Sequence, residues 1–401
     1  MATESRKESK LYLRSKENTA GTEDDFDFFE TNSCVMTRPK TNWLKESNLG
    51  KLGQGEYGDK TELQACFSEF SVTCQRLSEV MYFMSFFLGK EDSMISIDAN
   101  NSIYSHYLLH QPITARTIPT FTALYTDGSE THVMTHCIIT DFNITLASGG
   151  NGVIEASFNG ICNLHYDNNG TLTKTIITND WSSGAYTSTV AAEPLVNYKG
   201  CQFFLGTATE SVPLVHSNIS YGATDLAGST DITSLINSVT ITGTNGITGE
   251  DSMRAGGGGV LNNQERKDFA FTCELNIRKD DSTPSTSFYS LIEGDSQRAL
   301  EIDWRGKIIK DALRYGINWF FPVIQFDDVT EDDETPINLT IPTIVHADSQ
   351  GTAFAAYTQN KVGLRYNAIH TTSANSSSSE SASGSSSSEG LSSSSSSPLD
   401  D

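Results

Sequence analysis

Over most of its length the chain alternates apolar and polar residues with period two, the pattern of half-buried strands. Residues 137–146 (CIITDFNITL) read as a strand, 149–152 (GGNG) as a turn and 153–158 (VIEASF) as the returning strand. The arrangement recurs farther on. There, residues 235–242 (LINSVTIT) lead through a Gly-rich connection at 255–263 into 268–277 (DFAFTCELNI). One segment departs from alternation: Leu77–Leu88 (LSEVMYFMSFFL) is apolar almost all round and stops at Gly89. It predicts a short buried helix rather than a strand. Residues 307–315 (KIIKDALRY) fit either a second helix or an irregular strand.

The ends lack either period. Residues 1–59 mix charges and Gly with the isolated aromatics Phe26, Phe28, Phe29 and Trp43, as expected of an extended polar arm that orders only against something else. Residues 371–401 hold 17 Ser and four acids without Lys or Arg, too little apolar surface for a core, so a disordered tail is expected. Between them the break at Pro194 divides the chain into β segments 60–192 and 193–370. The repeated strand, Gly-rich turn and partner strand suggest duplication of one mainly β sandwich or barrel domain, each copy with a short helix.

Composition narrows the functional classes. Only 37% of residues are hydrophobic and 19% charged, the balance being largely Ser, Thr, Asn and Gly. With 27 Lys and Arg against 50 Asp and Glu, the formal net charge is -23. An open surface clamping nucleic acid or anionic lipid needs clustered cations, which this balance argues against. A surface that lets nucleic acid slide past is compatible with it. The longest apolar run, residues 80–88, is under half the ~20 residues of a membrane span, and no secretory signal is visible. Seven cysteines without a CxxC pair suggest a cytoplasmically made protein with no disulfide framework.

Candidate chemistry is sparse. His106 and His110, His132 and His136 beside Cys137, and Cys162 near His165 tempt a metal reading. On strands, however, side chains four residues apart lie ~13 Å apart and cannot share one ion. The acidic run 327–334 carries six carboxylates in eight residues but misses the calcium-loop pattern, so it reads as a solvated loop. The Gly-rich run 256–259 lacks the Lys and Ser/Thr of a phosphate loop, and no nucleophile elbow occurs. Asp303 beside Trp304 could serve a glycosidase, but no second carboxylate can be placed at a working separation. No catalytic, cofactor-binding or metal residue is expected, and the chain reads as a non-enzyme.

One resemblance is specific. The order 68–73 (SEFSVT), the helix ending in Phe87-Leu88-Gly89, Tyr104-Ser105-His106-Tyr107, 118–122 (IPTFT), 136–146, a Gly turn and 155–160 (EASFNG) resembles the major tail tube protein of long-tailed bacteriophages. The second segment is similar to the second copy of duplicated members through 236–241, 269–277, 288–294, 300–304 and 337–342 ahead of 351–354. The resemblance covers about 60–370, leaving out the arm and the Ser-rich tail. It implies a virion structural protein whose copies form hexameric rings stacked into a hollow conduit for DNA ejection. Its implied partners are its own copies, the tape measure protein and tail terminator or baseplate proteins. DNA would pass without specific binding, and no membrane is involved. The alternative is a β-sandwich adhesin or carbohydrate-binding module with Trp181, Tyr186, Tyr198 and Trp319 as a platform.

Overall fold

The computed structural model describes residues 10–13, 27–29, 33–37, 40–46, 60–98, 103–110, 118–126, 131–149, 151–166, 193–211, 226, 228–249, 261, 269–278, 293–327, 329–331 and 338–360. Four strands come from the N-terminal arm: β1 (Lys10–Leu13), β2 (Asp27–Phe29), β3 (Ser33–Met36) and β4 (Lys40–Glu46). Next come β5 (Lys60–Cys74), α1 (Leu77–Leu88), β6 (Gly89–Asp98), β7 (Ile103–His110), β8 (Phe121–Thr126), β9 (Thr131–Ala147) and β10 (Glu155–Tyr166). The second segment supplies β11 (Cys201–Leu205), β12 (Thr230–Asp231), β13 (Ile236–Thr244), β14 (Ala270–Arg278) and β15 (Gln297–Lys310). It ends with β16 (Leu313–Phe326), β17 (Thr330–Glu331), β18 (Asn338–His346) and β19 (Ala355–Asn360). The protein is mainly β, and every strand pairing is antiparallel.

Both expected hairpins form: β9 with β10, and β13 with β14. They stand side by side, because the C-terminal half of β9 pairs with β13 from Ala147 opposite Ser238 to Asp141 opposite Thr244. The N-terminal half of the same β9 edge is taken by β8. A continuous run β3–β5–β10–β9–β13–β14–β18 results. A second run, β12–β11–β15–β16–β19–β7–β6, is likewise drawn from both segments, since β19 pairs with β7. β16 joins the runs by pairing with β19 along Gly316–Phe320 and with β18 along Val323–Phe326. Among the described residues strand pairing therefore crosses the 192/193 boundary twice, so the described strands of the two segments share one sheet system. The arm strands β1, β3 and β4 lie on β8 and β5, so the described parts of the arm order against the body.

The helix forms where its pattern predicts. The Arg76 amide donates to Glu79 Oε2 at 3.4 Å at the first turn. Gly89 ends it in the left-handed region (φ 88), its amide bonding the Ser85 carbonyl. All twelve helical residues are buried. α1 packs against β9 of the first run and against β6, β7, β19 and β16 of the second, within an apolar core shared by both segments. Phe87 touches Phe142 of the first segment and Phe269 and Phe271 of the second, with centroids 4.8, 5.0 and 6.0 Å away.

Among the described residues α1 is the only α-helix. Residues 307–315 take the strand alternative, closing the β15–β16 hairpin around a turn at Asp311 (φ 52). Pairing with the long apolar β16 overrides the local helix propensity, through irregular register at Ile308 and Lys310. The tail at 371–401 and the Gly-rich run 256–259 lie outside the described residues.

Candidate functional surface

The inner face of β5–β10–β9–β13–β14–β18 is apolar; the other face is paved with small polar side chains. Alternation is strict: in β14, Phe271, Cys273, Leu275 and Ile277 are buried, while Ala270, Thr272, Glu274 and Arg278 are exposed and Asn276 is half-buried. Registry lines these positions up across strands. One row runs Thr73, Ser157, Asn143, Thr242, Thr272, Ile344. The next runs Glu155, Thr145, Thr240, Glu274, Pro342. A third carries Ser71, Asn159, Asp141, Thr244 and Ala270.

Polar side chains bond one another across this face. The Thr242 and Thr272 hydroxyls are 2.5 Å apart, Asn159 Nδ2 donates to Asp141 Oδ1 at 2.6 Å, and Asn237 Nδ2 donates to Asn338 Oδ1 at 2.9 Å. The charges in these rows are acidic: Glu155, Asp141 and Glu274. Arg278, at the end of β14, is the one Lys or Arg on the face among its described side chains. Such a surface is wettable and offers phosphates almost no counter-charge. Beyond the β10 register shift at Asn159/Gly160 the sheet turns apolar, and Phe67, Ile138 and Ile161 are covered by Ile247 and Leu261.

Two buried polar clusters lie elsewhere, and the sequence reading missed both. At the start of α1, Glu193 accepts from the Ser78 hydroxyl and amide, and Arg76 Nη1 donates to the Glu193 carbonyl at 3.0 Å. Burial pushes the carboxyls up, Glu193 to about 7 and Glu79 to about 8. Burial likewise raises the Cys74 thiol beside them, with Glu79 adding to the effect. On β15, Glu301, Asp303 and Arg305 are buried on one strand face. Arg305 Nε meets Asp303 Oδ2 at 3.0 Å, and Asn318 Nδ2 on β16 donates to Glu301 Oε1 at 2.6 Å. Charges at i, i+2 and i+4 within the alternating stretch 300–305 were the signal that could have found this cluster.

Searches of protein-family models and of curated proteins find no match to the chain.

The tempting residues of the sequence scatter. His106 and His110 share β7 and are buried, the latter with its ring 4.0 Å from that of Phe269. His136 sits on β9 at φ 51, and Asn163 Nδ2 lies 3.4 Å from its Nδ1. No group of three or more His, Cys, Asp or Glu suited to holding a metal ion occurs among the described residues. Asp303, the carboxylate weighed for glycosidase chemistry, is held by Arg305 in the core. The acidic run is partly described and contributes Thr330–Glu331 as β17 against β18. Of the aromatic residues named for a platform, Trp319 is fully buried and the Tyr198 hydroxyl bonds the Ile236 carbonyl. Trp181 and Tyr186 lie outside the described residues. Among the described side chains, Cys34, Cys74, Cys137, Cys162, Cys201 and Cys273 form no disulfide.

Proposed function

We propose that this protein is a major tail tube subunit, a structural virion protein whose copies stack as rings into a conduit for DNA. The observation that carries the reading is the six-stranded face of Thr, Ser and Asn with acidic charges, described above. Passage of a polyanion demands a wall that hydrates the backbone without binding it, because retention requires Lys or Arg to displace counterions. A net charge of -23 has the same sign.

The joining of two hairpins edge to edge through β9 and β13 gives the reading mechanical sense. Repetition of such contacts between copies would close a barrel, removing the exposed strand edges that invite irregular aggregation. The sequence resemblance to tail tube proteins points the same way, and brings the tape measure and tail terminator or baseplate proteins as expected partners. The role is structural rather than enzymatic.

The test is direct. Full-length protein, concentrated and followed by light scattering and negative-stain microscopy, is expected to form rings or hollow tubes. A species that stays monomeric over all concentrations and salts overturns the reading.

A further inference from the structure

We propose that the tip of the β15–β16 hairpin of one copy docks into an acidic groove beside β3 and β5 of a second copy. This contact rests on the reading of the chain as a self-assembling subunit, and specifies which surfaces meet.

The donor side is the hairpin tip. Lys307, Ile308, Lys310, Asp311 and Ala312 are exposed, and Ile308, at 48%, is among the most exposed large apolar residues described. With Arg314 the tip gathers three cations against one acid, on a chain where acids outnumber cations 50 to 27. Lys310 is already held by Asp98 at 2.8 Å, which leaves Lys307 and Ile308 as the projecting pair. A cationic, apolar finger on an acidic protein is drawn to other copies of that protein.

The receiving side is an open cavity of about 550 Å³ at the end of the polar face. Phe67 and Ile247 line its apolar part, Glu69 and Asp141 supply carboxylates, and Val35 stands beside them at 58% exposure. None of its described lining residues is Lys, Arg or His. Thr140 and Asn159 each donate one hydrogen bond to Asp141, leaving further lone pairs on both oxygens for an ammonium group. The cavity falls within the ~300–1,000 Å³ range of side-chain-lined binding clefts, so Ile308 and a lysine stem can enter together. Sign and apolarity match tip to groove, not tip to tip or groove to groove. Repeated head-to-tail from copy to copy, such a contact generates rings or filaments.

A reciprocal charge swap tests it. Lys307→Glu and Glu69→Lys are made separately in the full chain, with thermal unfolding as a check that each folds. Each variant alone is expected to need at least tenfold more protein than wild type to assemble by light scattering. A 1:1 mixture should recover assembly, because each reversed tip then meets a reversed groove and each native tip a native groove. If wild type assembles and both single variants assemble equally well, or the mixture fails to recover, this contact is wrong while the tube reading stands. A wild type that never assembles overturns both.

Discussion

Glu193 holds Ser78 with both carboxylate oxygens: Oε1 accepts the hydroxyl at 2.5 Å and Oε2 the amide at 3.1 Å. The bond ties the segment after residue 192 to the first turn of α1, where Arg76 also bridges Leu195.

That tie predicts a pH dependence. Burial raises Glu193 from 4.5 to about 7 and Glu79 to about 8, so the folded protein binds protons that the unfolded chain releases. The stabilising contribution is complete below pH 4.5 and is lost as pH rises through 7 and 8. Glu193 alone corresponds to about 3 kcal/mol. The melting temperature should fall between pH 5 and pH 9, and Glu193→Gln should flatten that fall. A melting temperature that is constant or rises over this range contradicts the assignment.

Phe87 links the two segments, so it should report on both. Phe87→Ala is expected to cost about 4 kcal/mol. Because the core is shared, denaturant unfolding monitored by Trp fluorescence and by far-UV circular dichroism should give one coincident transition in wild type and variant. Two separated transitions would mean that the segments fold as independent domains.

Gly160 cannot take a side chain. A Cβ there would collide with the Ile138 carbonyl oxygen and the Phe70 ring, where β10 crosses its register shift between β5 and β9. Gly160→Ala should destabilise by about 2–3 kcal/mol, read from urea midpoints at unchanged slope. A midpoint equal to wild type would show that β10 can shift aside.

Placing cations on the polar face should convert a sliding surface into a holding one. Thr242→Arg adds one charge per copy in the middle of the Thr73–Ile344 row. Assembled variant is expected to retain duplex DNA at low salt and release it as salt rises, while wild type retains none. Equal, salt-insensitive behaviour of the two would remove this face from contact with DNA.

Local structure was legible where the hydrophobic period is strong. The β9–β10 hairpin and α1 follow from alternation in 137–158 and its absence in Leu77–Leu88. The partners of each hairpin were not legible, since β9 with β13 and β7 with β19 are pairings that many intervening residues separate. The polar face was visible only as scattered Thr, Ser and Asn; it becomes one surface through registry between strands, which period two does not encode. Residues 307–315 stayed open between helix and irregular strand for the same reason, the choice being decided by the pairing of β15 with β16.

The placement of β19 also sets an order of events during synthesis. It pairs with β16 and with β7, whose residues emerge from the ribosome about 250 positions earlier. Until 355–360 arrive, β7 presents an unfilled edge, and the C-terminal half of β9 waits similarly for β13. Nascent chains thus hold these edges open for most of their translation, and the long-range pairings predict slow folding set by topology. A product truncated before 355 leaves β7 and β16 without their shared neighbour, and is expected to be degraded before it can join an assembly.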